Sequence, residues 1–245
     1  MLEFSYQRTL EASDMFNQAF SATHDPHLLI GPLRHGALRR LRRHPTSITA
    51  SSKGVVVTGG NRGFGYAMSQ EFLKEGDAVV LCGRNSDDVN AAVKALQTEA
   101  PRSQVHGMRC DVSVADDVAE LGQFAGQQLG TVHLWINNAG QVTRKRLLAD
   151  VDASDISSAV GSNVMGSLLG SREAIRLMRQ QPAHPKTVYH IFNLGFSRWG
   201  ASFSKSACTH KATKAALTQL THSLSEELVE ASPALAATTC LQGWC

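Results

Sequence analysis

The feature that most narrows what this chain can fold into is a short run, Thr58-Gly-Gly-Asn-Arg-Gly-Phe-Gly65, entered from the β-branched stretch Val55-Val-Val-Thr58. Its glycines are spaced GxxxGxG. Glycine reaches positive φ without strain and carries no Cβ, so the backbone can turn tightly and lie close to a bound group. Behind the run, Phe64, Met68 and Phe72 recur at i, i+4 and i+8, the apolar stripe of a helix that Gly76 would end. Strand, glycine turn and helix in that order aim the free N–H groups and positive dipole end of the helix at the loop, which suits a pyrophosphate. A glycine-rich turn that merely closes a βα unit is the plainer alternative. The Walker lysine is absent after Gly65, which sets nucleoside triphosphate hydrolysis aside.

The same alternation continues to the end of the chain. Strands are expected at Ala78–Cys82, Val105–Arg109, Val132–Ile136, Thr187–Phe192 and Ala236–Leu241. Between them come a helix from about Asp87, one opened by a capping box at Ser113-Val-Ala-Asp116, a long one from Asp152 to Met178, and one bearing Leu217, Leu220, Leu224 and Leu228. Repeated βαβ crossovers imply an α/β fold, a three-layer doubly wound parallel sheet of the Rossmann type with six strands in view. A chain of 245 residues that is 42% hydrophobic and 18% charged can bury such a sheet on both faces. No apolar run approaches the roughly 18 residues of a transmembrane helix. A formal charge of +3, without a patterned patch, argues against a nucleic-acid partner. The five cysteines are an odd number with no CxxC pair, so neither a disulfide framework nor a metal site is expected, and a reducing compartment is the simpler reading.

Residues 1–52 read differently from the domain expected over 53–245. Gly31 to Pro45 holds five arginines and no acid, and a Ser/Thr-rich stretch from Thr46 to Ser52 follows. That composition fits an organelle transit segment, although Glu3, Glu11, Asp14 and Asp25 precede the basic run. A mature helical extension and a membrane-surface patch around Leu38 and Leu41 stand as the other two readings.

The end of the second strand bears on which dinucleotide binds. An acid there would hold a ribose 2′-hydroxyl, whereas arginine accommodates a 2′-phosphate. The sequence reads Cys82-Gly-Arg-Asn85, and Arg62 lies in the glycine loop, which points to NADPH/NADP⁺; an ordinary surface arginine is the alternative.

Further strings fall where the later strands and helices meet: Asp111-Val112, Asn137-Asn-Ala-Gly140, Asn163 in the long helix, and Lys214 four residues after His210. In this order, with GxxxGxG, they resemble the short-chain dehydrogenase/reductase family over essentially all of residues 54–245. Gly76-Asp-Ala-Val-Val80, Leu134-Trp-Ile-Asn-Asn-Ala-Gly140, Ser162-Asn-Val-Met-Gly-Ser167 and His190-Ile-Phe-Asn-Leu194 narrow the resemblance to the chlorophyll(ide) b reductases of plants and green algae. Those enzymes reduce the C7 formyl group of chlorophyll b to a hydroxymethyl with NADPH in the chloroplast, a step of chlorophyll b breakdown. The resemblance implies that Gly59, Gly63 and Gly65 contact the pyrophosphate, Arg84 the 2′-phosphate and Asp111 the adenine amino group. It places Asn61, Arg62, Phe64, Val112, Ala139 and Gly140 in the same cofactor set. Asn138 would support the fourth strand and the cofactor loop, Asn163 would hold a water in a proton relay, and Lys214 would bind the nicotinamide ribose. It further implies a chloroplast location, in the stroma or at the thylakoid surface, and a small-molecule carbonyl substrate, chlorophyll(ide) b. A second copy or a related reductase subunit would be the protein partner.

The sequence departs from that family at three places. The family's catalytic tyrosine is His210 here. Ser197, 13 residues before His210, takes the serine position by spacing but stands one residue off its usual distance from Asn193. The family's Pro-Gly pair after the last strand is Gln242-Gly243, and the chain stops at Cys245, ahead of the covering helices and final strand that the resemblance implies. Two functions are therefore in view: a pigment reductase with Asn163, Ser197, His210 and Lys214 in the catalytic roles, and an NADP(H)-binding scaffold or partner subunit without turnover. Reduction of some other carbonyl is a third, since fold does not fix substrate. Phe196, Trp199 and Phe203 would line an apolar substrate pocket or serve ordinary packing.

Overall fold

The computed structural model describes residues 52–143, 146–182, 189–196, 208–232 and 234–242. The β-branched run at its start forms β1, Gly54–Thr58, every residue of which is buried. Along the chain follow α1 (Gly63–Lys74), β2 (Ala78–Gly83), α2 (Ser86–Glu99), β3 (Val105–Arg109), α3 (Ala115–Leu129) and β4 (Leu134–Asn137). After a 3₁₀ turn at Leu148–Asp150 come α4 (Ala153–Val160), a π turn (Gly161–Met165), α5 (Gly166–Arg179), β5 (Tyr189–Phe196), α6 (Cys208–Ala231) and β6 (Leu235–Gln242).

The six strands are parallel in the order β3-β2-β1-β4-β5-β6. This is the doubly wound order expected from the sequence. Val56 lies in register with Val80 on one side and Trp135 on the other, and Trp135 with Ile191. Trp135 and Ile191 are fully buried, and α3 and α5 cover them with Leu121, Ala125, Ala174 and Met178. On the opposite face, Val89 and Val93 of α2 close over Gly107 of β3, where a Cβ would collide with both. The winding direction reverses between β1 and β4, which opens a crevice beyond their carboxyl ends.

Local chemistry explains most of the boundaries. Gly76, at φ +88, ends α1 in a Schellman motif: its N–H bonds the Leu73 carbonyl, and the Asp77 N–H bonds that of Phe72. Asn85 caps α2, its Oδ1 accepting from the N–H groups of Asp87 and Asp88. Four expectations need correction. The Ser113–Asp116 capping box does not form, because Asp111 Oδ1 takes both the Ser113 N–H (3.0 Å) and its hydroxyl (2.7 Å), and α3 begins only at Ala115. The single helix expected over 152–178 is broken by the π turn into α4 and α5. Strand β4 starts at Leu134 rather than Val132, whose N–H and carbonyl are taken by the Gln181 side chain instead of a neighbouring strand. Strand β5 runs on to Phe196 because β6 pairs with it along its whole length. The expectations for residues 1–51, Thr187, Val188, Ser197, Trp199 and Phe203 lie outside the described residues.

Candidate functional site

The glycine loop caps the carboxyl end of β1 and is held from two sides. The Gly60 N–H bonds the Cys82 carbonyl of β2 at 3.1 Å. From β4, Asn138 Nδ2 donates to the carbonyls of Thr58 (2.8 Å) and Gly59 (3.1 Å), while the N–H groups of Asn138 and Ala139 both bond Thr58 Oγ1 at 3.0 Å. Thr58 and Asn138 thus lock β1 to β4 at the switch point. Gly59 and Gly63 take positive φ, +63 and +56, which explains why those positions are glycine. A Cβ at Gly65 would strike the Gly59 carbonyl and the Asn138 amide, so that glycine lets the helix close on the loop. A Cβ at Gly63 would meet nothing within 4 Å among the described residues. The cradle fits a dinucleotide pyrophosphate.

Beside the loop, Arg62 and Arg84 are exposed, and the Asn61 side chain lies over Gly83. Burial works to raise the Asp111 pKa, but the Ser113 hydrogen bonds and the Arg84 and Arg109 charges outweigh it and hold the carboxyl below its ordinary value. Arg109 is itself bound by Asp117, which also accepts the Asp111 N–H at 2.8 Å. Val112 is buried against Gly166, where a Cβ would collide with it. Phe64 is half-buried.

Under the crevice lies a buried polar lattice. Asn137 Nδ2 donates to Asn193 Oδ1 (2.9 Å) and Ser171 Oγ (3.1 Å), Trp135 Nε1 donates to Asn137 Oδ1 (2.9 Å), and Asn193 Nδ2 donates to Thr221 Oγ1 (2.9 Å). It ties β4, β5, α5 and α6 together and fixes the floor on which the next group stands.

Asn163, His210 and Lys214 converge there with Gly140. Asn163, in the π turn, is fully buried. A Cβ at Gly140 would lie 3.2 Å from Asn163 Oδ1 and 3.6 Å from Lys214 Nζ, so a side chain there would crowd both. Lys214 is 5% exposed and donates to the Leu194 carbonyl of β5 at 2.5 Å. His210, one helical turn earlier on the same face of α6, is half-buried. Burial and then the Lys214 charge push its pKa below 6.5, while a hydrogen bond to the Gln141 backbone works the other way. Two residues absent from the motifs join this cluster. Gln141 grips Asn163 through its backbone, and Thr213 bonds Asn163 through its hydroxyl. A threonine on the inward stripe of α6, beside Leu217, is the one signal that could have revealed the second; Gln141 acts through its backbone and leaves none.

A parallel sheet of this order, with a glycine cradle at the switch point and a polar cluster in the adjoining crevice, is the architecture of the dinucleotide-binding oxidoreductases. A family model, short chain dehydrogenase, matches residues 53–238, and the chain belongs to that family. A chlorophyll(ide) b reductase NOL from Oryza sativa subsp. japonica is 35% identical over 175 residues, 71% of this chain and 50% of that protein. The probable chlorophyll(ide) b reductase NYC1 of Arabidopsis thaliana is 34% identical over 193 residues, 38% of its length. The chain therefore spans half or less of these two curated relatives. Carbonyl reductase family member 4 of Danio rerio is 31% identical, with 70% of its length covered. Among solved structures, a short chain dehydrogenase/reductase from Burkholderia phymatum in complex with NAD superposes with a TM-score of 0.69 at 30% identity, covering 77% of this chain and 64% of that one.

Proposed function

We propose that the chain is an NADPH-dependent reductase of a pigment formyl group, acting on chlorophyll(ide) b in the chloroplast. The observation that carries the catalytic part is the meeting of Asn163, His210 and Lys214 around Gly140, beside the cradle. The substrate class and location rest on relatives whose names state them. NADPH, when bound, supplies the hydride. Gly59, Gly63 and Gly65 admit its pyrophosphate, Arg62 and Arg84 offer charge to its 2′-phosphate, and Asp111 faces its adenine end. Lys214 would bind the nicotinamide ribose, and Asn138 keeps β4 and the loop in register. His210 gives a proton to the carbonyl oxygen as the formyl carbon becomes a hydroxymethyl. Its lowered pKa leaves a small protonated fraction at pH 7, so turnover rises as the pH is brought down toward that pKa.

His210 in place of a tyrosine also favours a second reading, an NADP(H)-binding partner subunit without turnover. One set of measurements separates them. Fluorescence titration should show NADPH bound at least about tenfold more tightly than NADH, with Arg84→Ala removing most of the difference. Equal affinities in the parent protein would refute the cofactor assignment. With a formyl-bearing pigment, His210→Phe should abolish turnover and leave NADPH binding intact. An inactive parent made active by His210→Tyr would establish the partner-subunit reading.

A further inference from the structure

The chain enters the sheet at residues 53 and 54, and two side chains hold it there. The Lys53 carbonyl accepts the Ala78 N–H at 2.8 Å, and the Gly54 carbonyl accepts the His133 N–H, also at 2.8 Å. The two N–H groups go to side chains instead: that of Lys53 donates to Asp77 Oδ1 and that of Gly54 to His133 Nδ1, each at 2.9 Å. Gly54 offers only its backbone for this, because a Cβ there would lie 2.1 Å from the Thr131 carbonyl oxygen. Asp77 is 9% exposed, and its own N–H is committed to the Phe72 carbonyl. His133 is half-buried just ahead of β4, and its carbonyl accepts the His190 N–H of β5 at 2.9 Å, so its backbone is fixed on both sides.

The Gly54 bond dictates where the imidazole carries its proton. A backbone N–H can only donate, so Nδ1 must present a lone pair, and the neutral ring is protonated on Nε2. A second proton has one place to go, Nδ1, where it would meet the Gly54 N–H head on. The charged ring therefore cannot keep the bond. Burial is the largest influence on the ring and lowers its pKa below 6.5; the Lys53 charge at the entry of β1 adds to it. Asp77 ahead of β2 and a hydrogen bond to the Thr131 backbone ahead of β4 work the other way. From β5, the Tyr189 ring stands 6.2 Å away between centroids, and His190 meets it through the backbone. The bond is thus closed above the pKa of the folded ring and lost below it.

We propose that His133 is an acid-released clamp on the entry of β1: the neutral ring holds Gly54, and the charged ring lets the joint to residues 1–52 open while the rest of the sheet stands. The clamp is independent of the reading of His210, since the glycine loop lies at the other end of β1, beyond Thr58. In the full chain, exchange of the Gly54 amide is followed by NMR from pH 7.5 to pH 5, as protection relative to the intrinsic rate at each pH, beside the titration of the His133 ring. At pH 7.5 the ring nitrogens should show the proton on Nε2. Gly54 protection should then fall at least about tenfold in step with the ring's titration. His133→Asn sets at the Nδ1 position an oxygen that accepts but does not titrate, so Gly54 should keep its protection throughout. His133→Leu should lack that protection at every pH. Val56, in the middle of β1, registers any loss shared by the whole sheet, and the variants keep every other titrating group of the parent. If His133→Leu does not fold, the parent and His133→Asn carry the comparison. A proton on Nδ1 at pH 7.5, a ring that stays neutral until the domain unfolds, or Gly54 protection that ignores the ring's titration overturns the proposal. An equal fall in His133→Asn overturns it too.

Discussion

Acid should loosen this domain in part through His190, which sits in β5, 9% exposed, stacked 5.0 Å from the Phe192 ring, with its Nε2 3.3 Å from Thr238 Oγ1 of β6. Burial pushes its pKa down from 6.5 to about 4. In the unfolded chain the ring takes up a proton near pH 6.5, while in the folded chain it resists until about pH 4. The unfolded state thus binds more protons in that window, and stability falls as the pH falls through it. The full difference is about 3 kcal/mol, reached below pH 4, and about 2 kcal/mol of it is lost by pH 5. Urea unfolding of the parent and of His190→Gln at pH 7.5 and pH 5 tests this. Carboxylates and the other histidines titrate alike in both proteins, so the change in their stability difference isolates position 190. The variant should be the less destabilised by acid, by about 2 kcal/mol at pH 5. A stability difference that stays constant between the two pH values would refute the reasoning.

Two further outcomes follow from the cradle. Gly65→Ala sets a methyl against the Gly59 carbonyl and the Asn138 amide, and should weaken dinucleotide binding at least about tenfold by fluorescence titration. An unchanged affinity would show that the loop relaxes freely. Thr58→Val leaves the N–H groups of Asn138 and Ala139 without the hydroxyl they share, and should lower stability by about 1–3 kcal/mol in urea unfolding.

The sheet was legible because its strands announce themselves. Val55–Val57 and Ala78–Cys82 are apolar runs bounded by glycines, and all of these residues are buried. The glycine loop was legible for the same reason, since positive φ at Gly59 and Gly63 restricts the residue type. What stayed hidden depends on partners distant in sequence. Ser113 has the pattern of a cap, yet Asp111 competes for its hydroxyl. Val132 is β-branched like a strand residue, yet Gln181, just beyond α5, takes its backbone groups. The grouping of Asn163 with Lys214 could be expected from motif order, but the Gln141–Asn163–Thr213 connection could not, because two of its three bonds use backbone atoms that every residue has.

The π turn sets the phase between two halves of one helical rod. An α-helix advances by about 100° per residue, and a π turn inserts a local surplus into that count. Upstream of it, Ser158 is aimed at Gln141. Downstream, Gly166 is aimed at Val112 and Gly170 at Asn137. Adding a residue to Gly161–Met165, which already holds its surplus, would leave both halves helical and throw one of them about 100° out of step. Either the hydroxyl would swing away from the crevice or the glycines would swing away from the sheet. Chemistry and packing are geared to the same shaft here, so substitutions can adjust them separately while changes of length must move both at once.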